Sequence, residues 1–131
     1  DLKIKVVSTK PRVVLIEDLL SEFEIEHIVS LGKGVVRRSS VGSSDDGFLS
    51  DTRTSDNGWL SRHKTHVLDT VYQRFADALR TPDELMVEGH GGNLEQLQFV
   101  RYKKGQKYDP HHDFGNTGKP NQRFSTLFIY L

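Results

Sequence analysis

The chain has 131 residues, 35% of them hydrophobic and 27% charged, which fits one domain with a modest core. Its 18 basic and 18 acidic side chains cancel, and no long block of one sign appears, so the broad basic face of a general nucleic-acid binder is excluded. There is no cysteine, hence neither disulfide nor thiolate ligand, and no apolar run long enough to span a bilayer.

The predicted elements follow in chain order. "LKIKVVS" and "RVVLIED" read as two short strands with Pro11 between them. In "SEFEIEHIVSLGKG", Ser21 and Glu24 have the spacing of a capping box, and Ile25, Ile28 and Val29 form the apolar stripe of a helix. Gly32 or Gly34 is expected to end that helix in a left-handed turn, and "GVVRRSSVG" to resume a strand. Residues 42–58, rich in Gly, Ser and Asp, read as a long loop of the kind that is functional or disordered. Trp59, the only tryptophan, follows as a buried core residue or a brace for that loop.

Residues 65–80 form the clearest helix, with Leu68, Val71, Tyr72, Phe75 and Leu79 on one face. Thr81 and Pro82 are expected to cap and open a further short helix. "LEQLQFVRY" alternates as a strand, "KKGQK" reads as a turn, and "GNTGKPNQ" as a polar loop. "FSTLFIYL" then reads as a buried strand. Elements in this order suit an α+β, mainly β, domain: an antiparallel sheet, sandwich or barrel braced by helices. The chain opens on Asp1 rather than Met and closes on that apolar run, so it reads as a fragment of a larger domain.

Between the "KKGQK" turn and the polar loop lies "YDPHHDF". Pro110 keeps its predecessor extended. On an extended backbone His111 and Asp113 point to one side and His112 to the other. An imidazole and a carboxylate on one side supply two members of a 2-His-1-carboxylate triad, which leaves positions on Fe(II) open for substrate and oxygen. The same spacing also arises where a histidine and an aspartate merely hydrogen-bond. Zinc suits the pair less well, since it is half a site with no cysteine to complete it. His27, His63, His66 and His90 read as surface groups.

The wider stretch "LEQLQFVRYKKGQKYDPHHDF", followed by "NQRFSTLFIYL", resembles the prolyl 4-hydroxylase family of Fe(II)- and 2-oxoglutarate-dependent dioxygenases. Tyr102, Gly105, Tyr108, His111 and Asp113 meet the family pattern Y-x-x-G-x-x-Y-x-x-H-x-D, and "TRTSDNGW" and the "QR" before the last strand are also similar. The resemblance implies a double-stranded β-helix (jelly roll), with residues 1–92 supplying helices and strands and 93–131 its first core strands. It implies His111 and Asp113 as iron ligands, Tyr102 as a contact of 2-oxoglutarate, and Tyr108 as the wall of a proline pocket. It further implies Arg53, Ser55, Glu95 and Arg123 as contacts of a proline-containing peptide, and residues 42–58 as a lid. The implied activity is hydroxylation of peptidyl proline coupled to decarboxylation of 2-oxoglutarate to succinate and CO2, with ascorbate as reductant. The family's second iron histidine and its basic 2-oxoglutarate partner come later than Leu131, so this segment alone is expected to be inactive. A hydroxylase of another residue, a catalytically inactive peptide-binding module and an iron-free carbohydrate-binding jelly roll stay open as alternatives. Compartment is open between the secretory pathway and the cytoplasm, and oligomeric state is open.

Overall fold

The computed structural model describes residues 2–38, 54–89, 92–114 and 123–131. They form two small antiparallel sheets and two helices. The first sheet is a hairpin of β1 (Lys3–Thr9) and β2 (Arg12–Glu17), in which Ile4 pairs with Ile16 and Val6 with Val14. Both strands were legible in the sequence because each is a run of β-branched residues closed by the Lys10–Pro11 turn.

Helix α1 spans Glu22–Val35. Its start is the expected capping box: the Ser21 hydroxyl accepts from the Glu24 amide, and the Ser21 amide donates to the Glu24 carboxylate at 2.8 Å. Its end differs from expectation. Neither Gly32 nor Gly34 stops the helix, which runs on to Val35 and leaves through an extended Val36. Gly32 is needed instead for close packing, because a Cβ there would overlap the Phe99 ring. The strand expected over "GVVRRSSVG" is reduced, within the described residues, to β3 (Arg37–Arg38).

The second sheet has the order β3-β4-β5, with β4 (Asp56–Leu60) in the middle and β5 (Leu97–Arg101) at its side. β4 corrects the sequence reading, which placed residues 42–58 in a loop. Asp, Asn and Gly are poor strand formers, but the chain has a tertiary reason for them. Gly58 lies where a Cβ would crowd Val35, 2.7 Å away, so only a bare Cα lets α1 rest on the sheet. Asp56 is claimed by Arg101 on the paired strand, at 3.0 Å. Alternation along β4 buries Leu60 and turns Trp59 outward, 42% exposed, which corrects its expected place in the core. Residues 42–53, including Arg53, and His90 lie outside the described residues, as does the polar loop 115–122.

Helix α2 (His66–Leu79) is capped by the Thr65 hydroxyl, which accepts from the Leu68 amide, and ends on Arg80 in the left-handed region. It presents Leu68, Val71, Tyr72, Phe75 and Ala76 to the core, beside Ile28, Leu60 and Met86. Leu79, expected on that face, is 40% exposed at the last turn. The short helix after Pro82 is one 3-10 turn, Asp83–Leu85, without a side-chain cap from Thr81. Arg62 is the other organising group. Its guanidinium is almost wholly buried and bonds Asp69 at 2.6 Å, Asp83 at 2.8 Å and the Met86 carbonyl, tying α2 to the segment after it.

Among the described residues the two sheets do not by themselves make up a jelly roll, and of residues 93–131 those in a strand are β5 alone. "FSTLFIYL" is not paired into a sheet. Leu127 and Ile129 rest against the core, whereas Phe124, Phe128 and Tyr130 are 95%, 74% and 94% exposed. The expected burial is therefore met by alternate residues and not by the whole run.

Candidate metal centre

The site is built on the chain that leaves β5. Lys103–Gln106 forms a tight turn: the Gln106 amide donates to the Lys103 carbonyl at 2.9 Å, and Gly105 takes φ 84°, a conformation natural to glycine. The returning chain is then stapled to the start of the β4 segment. The Thr54 amide donates to the Lys107 carbonyl at 2.9 Å, and the Lys107 amide donates to the Thr54 hydroxyl at 2.8 Å. This staple, together with Asp56 held by Arg101 and Lys103, fixes where residues 108–113 begin. The Arg101 guanidinium, which donates a hydrogen bond to Asp56, holds that carboxyl below its usual range.

Residues 109–113 are not a regular strand, which corrects the expectation of a strand-like segment. The pair nevertheless converges. His111 Nε2 lies 3.3 Å from Asp113 Oδ1. His111 Nδ1 lies 2.9 Å from the Asp109 carbonyl, which can only accept, so Nδ1 carries the proton. The Tyr108 ring stacks on His111 with centroids 3.8 Å apart and covers one face of the imidazole.

Asp113 is held from a separate segment. Thr126 Oγ1 donates to Asp113 Oδ2 at 2.8 Å. Arg123 Nη1 is 3.7 Å from Asp113 Oδ1, while the rest of its guanidinium forks onto Glu95, with Nε to Oε1 at 2.5 Å and Nη2 to Oε2 at 2.9 Å. The Glu95 hydrogen bond above all, with the nearby Asp113 charge, raises the Arg123 pKa and keeps the group cationic.

Of the residues singled out in the sequence, Tyr108, His111, Asp113, Glu95 and Arg123 thus form one connected cluster. Tyr102, just past β5, is 52% exposed and makes no hydrogen bond or ring contact among the described residues. Ser55 is fully buried at the start of β4 and offers no surface to a peptide in this conformation. Thr126 escaped the sequence reading. Its signal was there: it is the one polar residue in the alternate set Phe124, Thr126, Phe128, Tyr130.

The donor set can be tested against a small divalent ion. Neighbouring donors in an octahedral shell with bonds near 2.1 Å lie about 3 Å apart, and the His111–Asp113 separation of 3.3 Å is close to that. A proton on Nδ1 leaves Nε2 the free lone pair a metal requires, and the carbonyl behind it is the outer partner that ligating histidines ordinarily have. The two residues therefore fit as part of a ferrous site. Among the described residues no third histidine or carboxylate joins them.

Comparison with known proteins finds similarity over nearly the whole chain. No family model matches the chain. It is 35% identical to prolyl 4-hydroxylase 2 of Arabidopsis thaliana over 98% of its own length and 42% of that protein's. It is also 35% identical to probable prolyl 4-hydroxylase 4 of the same plant, over 98% of the chain and 43% of the relative, and 34% identical to prolyl 4-hydroxylase 5, again over 98% and 43%. The chain spans somewhat less than half the length of these relatives, and nearly all of its 131 residues are similar to that part of prolyl 4-hydroxylases.

Proposed function

We propose that the protein containing this chain hydroxylates peptidyl proline at the 4-position, coupled to oxidative decarboxylation of 2-oxoglutarate, with Fe(II) as metal and ascorbate as reductant. The observation that carries this reading is the convergence of His111 Nε2 and Asp113 Oδ1, with His111 Nδ1 donating to the Asp109 carbonyl. In the proposed domain, residues 1–92 support the site and residues 93–131 enter a jelly-roll core. The third ligand and the basic partner of 2-oxoglutarate come from outside these residues.

Each side chain then has a physical task. His111 and Asp113 hold the metal, which when bound supplies the oxygen-activating chemistry. Tyr102, whose phenol has no partner among the described residues, donates to the 2-oxoglutarate carboxylate. Tyr108 keeps the His111 ring in place and offers an aromatic wall to a pyrrolidine ring, whose surface is mainly apolar. Arg123 and Glu95 present a donor and an acceptor to the carbonyls and amides of an extended peptide, joined by Arg53.

The test is turnover by the full-length protein, supplied with Fe(II), 2-oxoglutarate and ascorbate, on a proline-rich peptide. The reading expects succinate formation stimulated by the peptide and one added oxygen on proline by mass spectrometry. Succinate formation stimulated only by lysine-containing peptides would move the protein to another substrate. Peptide binding without any 2-oxoglutarate consumption would leave a binding module.

A further inference from the structure

We propose that Thr126 is a positioning residue that dedicates one oxygen of Asp113 to the metal; the inference rests on the ferrous site proposed above. A carboxylate has two equivalent oxygens and turns easily about its last torsion, so an aspartate ligand can bind through either oxygen or through both. The structure breaks that equivalence. An ionised carboxylate only accepts, so the 2.8 Å contact must be a hydrogen bond from the Thr126 hydroxyl to Oδ2. Oδ1 is left as the oxygen that meets His111, at 3.3 Å.

The position of the hydroxyl is itself determined. Leu127 and Ile129 dock against the core while Phe128 and Tyr130 are exposed, and Thr126 lies on the side that meets Asp113. Threonine is branched at Cβ and has few rotamers, so little freedom is lost in holding the bond. Arg123, at 3.7 Å from Oδ1, adds attraction without the directionality of the threonine contact. A carboxylate oriented in advance does not have to be ordered when the ion arrives. Removing such an outer partner ordinarily weakens metal binding about 10–100-fold.

The experiment is Mn(II) titration calorimetry on the full-length protein, with thermal unfolding of the metal-free form alongside. Thr126→Val keeps the shape and loses the hydroxyl. It is expected to weaken Mn(II) binding about 10–100-fold while metal-free unfolding stays at the wild-type temperature, and Thr126→Ser is expected to bind within about threefold of wild type. Replacing Mn(II) by Co(II) should give an altered visible spectrum in Thr126→Val and a wild-type spectrum in Thr126→Ser. If Thr126→Val does not fold, Thr126→Ala against Thr126→Ser makes the same comparison. Equal Mn(II) affinity with and without the hydroxyl overturns the positioning role. Failure of the wild type to bind Mn(II), or undiminished binding by His111→Ala, overturns the metal site beneath it.

Discussion

The Phe99 ring of β5 rests on the bare Cα of Gly32 in α1, at a contact where any side chain would overlap it. Helix and sheet approach through this gap. An alanine at Gly32 would gain about 1 kcal/mol of helix propensity in an open helix, but here the methyl must displace an aromatic ring, at about 1–3 kcal/mol. Gly32→Ala is therefore expected to lower stability by roughly 1 kcal/mol in chemical denaturation. Adding Phe99→Leu should recover part of the loss. A more stable Gly32→Ala protein would show that the helix moves away at little cost.

Glu24 ties the two helices. Arg74 on α2 reaches both of its oxygens, at 2.7 and 2.8 Å, and also bonds the Leu19 carbonyl. The Arg74 hydrogen bonds first, then those from Ser21, hold the Glu24 carboxyl at about 2, below its usual 4.5. A group depressed on folding contributes its stability above the unfolded value and loses it as pH falls toward the folded one. The contribution should thus be complete above pH 4.5 and fade between 4.5 and about 2. Glu24→Gln should flatten that part of the stability–pH curve. Arg74→Ala should cost on the order of 2 kcal/mol at neutral pH, less than a fully buried pair because Arg74 is 33% exposed.

Arg62 is a charged group with 5% of its surface exposed, satisfied by Asp69, Asp83 and a carbonyl. Arg62→Ala leaves two carboxylates facing each other without the cation between them, and is expected to cost roughly 3 kcal/mol. Thermal unfolding should report it. Arg62→Met, which fills the space without the charge, leaves the same carboxylates without the guanidinium that joined them and should not restore the loss.

Metal binding provides a test independent of turnover. Excess Mn(II), at about 100 times its dissociation constant, should stabilise the wild-type full-length protein by roughly 2.7 kcal/mol. His111→Ala and Asp113→Asn should lose that increment while keeping their metal-free unfolding temperature. A Mn(II)-dependent shift that survives both substitutions would place the ion elsewhere.

The Arg123–Glu95 pair is half in solvent, with side chains 43% and 51% exposed, so it should add less than about 1 kcal/mol to folding. Its effect belongs in substrate binding. Glu95→Gln weakens the fork that aims the guanidinium and should raise the peptide KM, with kcat less affected. An unchanged KM would remove both residues from the proposed peptide groove.

Much of what depends on near neighbours in the chain was legible in its residues, though not the end of α1 or the cap expected from Thr81. The capping box of Ser21 and Glu24, the stripe Leu68, Val71, Tyr72 and Phe75, and the β-branched runs of the hairpin are patterns read within a turn or two of backbone. The pairing of His111 with Asp113 belongs with them, since two residues apart is close enough for the chain alone to bring them together. Tertiary structure decided what depends on distant partners. Asp56, Asn57 and Gly58 read as a loop and become the middle of a sheet, because Val35 and Arg101 supply the packing and charge that strand propensity lacks. Gly32, read as a helix stop, is a gap for Phe99, and Trp59 turns outward because β4 uses Gly58 and Leu60 for its inner face. Thr126 meets Asp113 only because Leu127 and Ile129 are anchored to a core assembled elsewhere. Spacing along a chain determines which side chains can face one way, and only packing between segments determines what they face.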